Sequence, residues 1–185
     1  MPRSKSGEAP AEWEKEPPKN RQKDKDAHWT KKHGRSHFEY KNHISIDWRH
    51  KLVRRYAVST ASVHDSQKLD DVLDANKTAS GVWADRAYRS KEIEEKLSER
   101  GLKSHIHRRG SRNKPLTARQ EAANKTRSKV RARVEHVFGN QHNSMGGKLV
   151  RTIGIVRAGL KIRMQNLAYN MRRLVVLERI AMAAG

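Results

Sequence analysis

The feature that most constrains the fold is a change of hydrophobic period partway along the chain. In HFEYKNHISID, residues Phe38, Tyr40, Ile44 and Ile46 share one parity. That is the two-residue repeat of a strand with one face buried. After a polar turn, Trp48-Arg49-His50-Lys51, the run LVRRYAVS is again rich in β-branched and aromatic residues, and the two segments read as a hairpin. The stretch from Ser62 to Ser66 offers caps for a short helix carrying Leu69, Val72 and Leu73. The brief apolar run Gly-Val-Trp-Ala at 81–84 reads as a buried strand that delivers Asp85 at its C-terminal end. Ser90 caps a predicted helix through Ile93 and Leu97 that stops at Gly101, and residues 102–106 alternate as a fourth strand. From Thr117 the period becomes helical. Thr117 and Gln120 match a capping box, and Val130, Val134 and Val137 form an apolar stripe on a helix ending near Gly139. A last amphipathic helix runs from Ile155 to Ile180, with Ile155, Leu160, Ile162, Leu167, Met171, Leu174 and Leu177 expected as core. The fold class is α/β, with helices packed on a mixed sheet.

Charge narrows the function. Lys plus Arg total 41 against 20 Asp plus Glu, a net charge of +21, which calls for a polyanionic partner, nucleic acid being the commonest. Cysteine is absent, which excludes disulfides and thiolate metal sites and fits a cytoplasmic location. No run approaches the ~18 apolar residues of a membrane helix, and the opening MPRSKSGEAPAEWEKEPPKN has no apolar signal region. Residues 1–36, with Pro2, Pro10, Pro17 and Pro18 and a dense charge run, are expected to be a largely disordered basic arm, or one that orders on DNA. The expected core spans 37–139, a flexible linker 140–154, and the final helix, packed on the core, 155–182.

Two acids stand out against this basic background. Between Arg100 and Arg133 there are twelve Lys or Arg and one acid, Glu121. Glu135 follows, one helical turn from Arg131. Taken alone, that is an i,i+4 ion pair on a solvated helix. Asp85 lies 50 positions earlier (135 − 85), separated by a helix, a strand and a loop, enough to bring both acids to one sheet edge. Two carboxylates on a cationic surface suit a hard divalent ion held over a phosphodiester, because Mg²⁺ takes oxygen ligands and can activate a nucleophile. Arg108, Arg109, Arg112 and Lys114 in a turn-rich loop, with Arg127, Arg131 and Arg133 on the helix, are the candidate phosphate contacts. His105 and His107, at i,i+2 on a strand, lack a third ligand nearby and read as phosphate contacts or exposed residues. His64-Asp65 reads as a helix cap. Asp24 and Asp26 read as solvated loop residues, and Asp47 as a turn residue before Trp48.

At these residues the chain resembles the DDE transposases of bacterial insertion sequences, in the insertion-sequence-five group of the insertion-sequence-four/five superfamily. The resemblance runs from about Arg21 to about Leu174 and rests on HGRSHFEYKNHISID, TASVHDSQKLDDVLD, VWADRAYRS, RARVEHVFG and KIRMQNLAYNMRRL. It implies a ribonuclease H-like fold and a catalytic set of two aspartates and one glutamate binding Mg²⁺ or Mn²⁺. Asp85 matches the second aspartate and Glu135 the glutamate, both as metal ligands. Arg131 matches an arginine common four positions before that glutamate. Ser128 stands where the family has a tyrosine, and His142 where it has a lysine. The first aspartate, which ends a central first strand in relatives, has no counterpart. The chain is therefore expected to lack that strand, to keep two sheet halves with unpaired edges, and to be a truncated, catalytically impaired form.

The implied activity is metal-dependent cleavage at transposon ends followed by strand transfer into target DNA. The implied partners are double-stranded DNA and either a second copy or full-length transposase, in a bacterial, nucleoid-associated setting. The alternative is a non-catalytic DNA-binding fragment that inhibits intact transposase. A general RNA- or ribosome-binding protein would explain the charge but neither VWADRAY nor RVEHVF.

Overall fold

The hairpin forms where the period-two run and the β-branched run after it predict it. The computed structural model describes Lys15 and residues 17–32, 34–76, 80–147 and 150–185. In it β2 (Arg35–Ile46) pairs antiparallel with β3 (Val53–Thr60), Tyr40 opposite Thr60 and Ile44 opposite Tyr56, with a register shift between Ser45 and Ile46. Asp47 closes the turn: its carboxylate accepts from the Arg49 and His50 amides and from His50 Nδ1, at 3.2, 3.0 and 2.6 Å.

The second half of the expected arm is structured. Residues 1–14 lie outside those described, but Pro17–Arg21 form a helix, α1, and His28–Lys32 form β1, antiparallel to the start of β2 with His28 opposite Glu39. The acids between them are anchors and not solvated loop residues. Asp24 Oδ1 accepts from the amides of Asp26 and Ala27 and from the Tyr40 hydroxyl at 2.7 Å. Asp26 Oδ2 accepts from the Ile155 amide at 2.8 Å, satisfying a donor at the start of the last helix. Composition hid this because short polar side chains bond backbone as readily as water.

Downstream, His64 caps a 3₁₀ turn at Asp65–Lys68, which leads into α2 (Leu69–Val72). β4 (Gly81–Val82) runs parallel to β5 (Lys103–Ser104), linked by α3 (Lys91–Glu99). Ser90 Oγ accepts from the Ile93 amide, and Gly101, at φ +65°, reverses the chain so that the Leu102 amide reaches the Leu97 carbonyl. Among the described residues the strands form two separate sheets, one of three strands and one of two. Leu69, Ile93, Leu97, Leu102 and Ile106 make one buried cluster beside the small sheet. Val53, Val137 and Tyr169, with Ile44 and Ile46, make the other.

Two long helices cover the second cluster. α4 (Ala118–Ser144) starts in the capping box of Thr117 and Gln120, with bonds of 3.3 and 3.1 Å. It continues through Gly139 to Ser144, so the stretch expected as linker from residue 140 is helical for five residues. A mid-helix glycine costs about 1 kcal/mol, and burial of Val137 and Gln141 on one face offsets it. α5 (Ile155–Ala184) presents Ala158, Ile162, Asn166 and Tyr169 to the hairpin and α4. Of the seven expected core positions only Ile162 is buried. Leu160, Leu167, Met171 and Leu174 are each more than half exposed and, with Val156 and Met164, form an apolar stripe on the opposite face. The helix is apolar nearly all round, so periodicity alone does not choose the inward face. Amides choose it. Asn166 Oδ1 accepts from Asn42 Nδ2 at 3.0 Å and Gln141 Nε2 at 2.9 Å, and Asn170 bonds both the amide and the carbonyl of Val53 at 2.8 Å.

Two outcomes follow for stability. Asn166→Ala strands the Asn42 and Gln141 amides and is expected to cost about 2–3 kcal/mol by urea unfolding. Arg163→Ala on the exposed face should stay within about 0.5 kcal/mol. His43 is buried and its Nε2 lies 2.8 Å from Ser59 Oγ; desolvation, foremost, holds its pKa below the ordinary histidine value. The unfolded chain takes up that proton first, below about pH 6.5, so stability should fall as pH drops from about 7 through 6 toward the folded-state pKa. Unfolding midpoints at several pH values should show that slope reduced in His43→Gln, with the remainder left to His105, which burial also holds low.

Candidate active site

Asp85 and Glu135 meet through one guanidinium. Asp85 stands three residues beyond β4, where its Oδ1 accepts from the Arg86 amide at 2.6 Å and caps the 3₁₀ turn Arg86–Tyr88. Arg131, on α4, donates through one terminal nitrogen to Asp85 Oδ2 at 3.1 Å and through the other to Glu135 Oε1 at 2.7 Å. The second bond is the i,i+4 pair the sequence suggests; the first crosses from helix to strand end and joins acids 50 positions apart. The side chains of Arg131, Asp85 and Glu135 are 34%, 47% and 61% exposed, so the site is an open edge facing solvent.

The rim is basic and is built on α4. Asn124 Oδ1 accepts from the Arg108 amide at 3.0 Å while its Nδ2 donates to the Arg108 carbonyl at 2.9 Å, pinning the start of the loop to the helix. Arg127 donates to the same Asn124 oxygen at 3.3 Å. Desolvation, then the charges of Arg108 and Arg89, push the Arg127 pKa down, a mark of crowded cations. Arg109, Arg112 and Lys114 are exposed on the loop, which is closed by mutual backbone bonds between Ser111 and Lys114. Arg133 turns away from this group: it stacks over Trp48 at 4.7 Å and donates to the Trp48 carbonyl at the hairpin tip. His107 Nε2 lies 3.0 Å from Ser128 Oγ, so this serine ties the segment after β5 to α4. His105 stacks on Trp83 with ring centres 4.6 Å apart. Sequence reasoning missed Asn124 and Trp83. Nothing marks an asparagine as a loop clamp before the loop is placed, and Trp83 reads simply as part of an apolar run.

The donor chemistry suits Mg²⁺, but the set is short. Among the described residues no group of three or more His, Cys, Asp or Glu is placed to hold a metal ion. Three of the four carboxylate oxygens of Asp85 and Glu135 already accept hydrogen bonds, two of them from a cation. As arranged, these residues do not make a binding site for a divalent ion.

A family model described as the transposase DDE domain matches residues 10–171, and the chain belongs to that family. The family's chemistry is cutting and joining of DNA strands, and its members typically use divalent metal ions. A transposase for insertion sequence element IS1106 from Neisseria meningitidis serogroup B is 30% identical over 149 residues, covering 80% of this chain and 51% of the relative. The chain thus spans about half the length of that relative. No solved structure matches it. No helix among the described residues is long and apolar enough to cross a membrane.

The Asp85–Arg131 contact is half exposed, so it should contribute little to stability. A double-mutant cycle of Asp85→Asn and Arg131→Gln is expected to give a coupling of at most about 1 kcal/mol in chemical unfolding. Loss of function in Asp85→Asn would then not reflect unfolding.

Proposed function

We propose that this chain acts in DNA transposition as a transposase polypeptide of the insertion-sequence-five group, binding double-stranded DNA in the bacterial cytoplasm. Asp85 and Glu135 correspond to two of the three acids of the family's Mg²⁺ or Mn²⁺ site and, as arranged here, hold Arg131; the basic rim on α4 holds DNA phosphates around them. The observation that carries this reading is the bridge from Arg131 to both acids. A carboxylate at a strand end and another on a remote helix converge at an exposed edge, where they add little to stability.

The fold reading is ribonuclease H-like. β2 along Tyr40–Ile46 pairs β3 on one side, and β4 pairs β5 on one side. A further strand between β2 and β4 would join the two sheets and could bring a third acid beside Asp85. By itself, this chain binds DNA without cutting it. The same property would let it occupy transposon ends in competition with an intact transposase. That second reading is favoured by the use of both acids to hold Arg131.

Binding and nicking of DNA carrying the element's ends, in Mg²⁺ or Mn²⁺, test this. Binding that weakens steeply with salt, without nicking and unchanged in Asp85→Asn, is the expected result. Nicking that Asp85→Asn abolishes would overturn the impaired-chain reading and establish an enzyme; absence of DNA binding at low salt would remove both.

A further inference from the structure

A second cationic site lies between the hairpin turn and the two long helices. Lys51 is, among the described residues, the one non-glycine residue at positive φ, +60°. Such a backbone is unfavourable for a lysine and persists only where surrounding contacts over-determine it. Here they do. The Lys51 amide donates to the Asp47 carbonyl at 2.8 Å, its own carbonyl accepts from the Tyr169 hydroxyl at 3.0 Å, and the preceding His50 carbonyl accepts from Arg173 Nε at 2.7 Å.

The fixed turn helps to line a cavity of about 300 Å³ together with His136 and Asn140 of α4 and Arg172 and Arg173 of α5. No carboxylate lines it. Arg172 is partly spent on the Ser144 carbonyl at 3.3 Å. The Lys51 ammonium, the His136 ring and the Asn140 amide have no hydrogen bond or ion pair among the described residues. Three basic and two further polar side chains thus line one concavity with no carboxylate among its lining residues. A basic face that is merely solvated spreads its charges apart. This one gathers them into a concavity and holds one of them on an unfavourable backbone.

We propose that this cavity is a binding site for a phosphoryl group, engaged by a DNA strand at a phosphate flanking the Asp85–Glu135 edge. An arginine fork and a lysine point charge are the natural partners of such an oxyanion. His136 follows Glu135 directly on α4. Asn140 lies about 7.5 Å beyond Glu135 along the helix axis at 1.5 Å per residue, roughly the rise of two phosphates of one strand. The assignment of a DNA strand rests on the transposase reading above; the phosphoryl chemistry does not.

Lys51→Asn removes the charge while asparagine tolerates the left-handed backbone. Lys91→Asn, at a lysine whose side chain is 93% exposed on α3, controls for the loss of one positive charge. For duplex DNA, Lys51→Asn is expected to lower the slope of log affinity against log salt by about one and to weaken binding severalfold. Lys91→Asn should leave both nearly unchanged. Inorganic phosphate at millimolar concentration should shift the His136 ring signals by NMR in the wild type, and Lys51→Asn should abolish the shift. Equal effects of the two variants on DNA binding, or a His136 signal blind to phosphate, would overturn the site. A phosphate-responsive His136 in a chain that does not bind DNA would retain the phosphoryl site and sink the DNA reading instead.

Discussion

The buried amide contacts of Asn166 are the constraint on which the rest of the structure depends. Hairpin, α4 and α5 share a small hydrophobic cluster in which Val53, Val137 and Tyr169 are the buried members. Apolar burial of that size attracts the helices without choosing their rotation. Asn166 receives Asn42 from the sheet and Gln141 from α4 on a single oxygen, so a turn of either helix would leave buried amides without partners. An unmade bond of this kind costs about 1–3 kcal/mol, which is comparable to burying a whole leucine at about 1.5–3 kcal/mol. Orientation is therefore set by polar groups in a core too thin to set it by shape.

That orientation decides what α4 presents to the two sheets. With Val137 and Gln141 facing inward, Arg131 and Glu135 fall toward the end of β4, and His136 and Asn140 toward the hairpin turn. One helix thereby serves two charged surroundings of opposite kind. At the first, a guanidinium holds two protein carboxylates together and offsets their repulsion. At the second, cations converge with no protein acid to meet them. The contrast shows why a positive total charge is too coarse a description of this surface: the local balance changes sign within about one helical turn of 5.4 Å.

Local signals made most elements legible in advance. Parity located β2, β-branched and aromatic content located β3, capping chemistry located the starts of α3 and α4, and Gly101 marked the end of α3. The meeting of Asp85 with Glu135 was legible because each follows from an element boundary, a strand end and a helix face. What escaped was decided by tertiary partners. Asp24 and Asp26 look solvated until Tyr40 and Ile155 are brought to them. The residues after Gly139 look like a joint until Gln141 is seen to be buried. For α5 the apolar residues outnumber those the core can take, so no periodicity rule could separate Ile162 from Leu160.

Asn170 has a consequence beyond anchoring α5. Its side-chain amide copies a peptide unit and takes both polar groups of Val53, the first residue of β3. Those groups are thereby withheld from any incoming chain, and with them the first rung from which foreign strand pairing along β3 could start. A protein whose sheets carry exposed margins needs some of them shut and others left receptive. A single asparagine on a distant helix acts here as a stopper, directing strand addition away from that end of the hairpin.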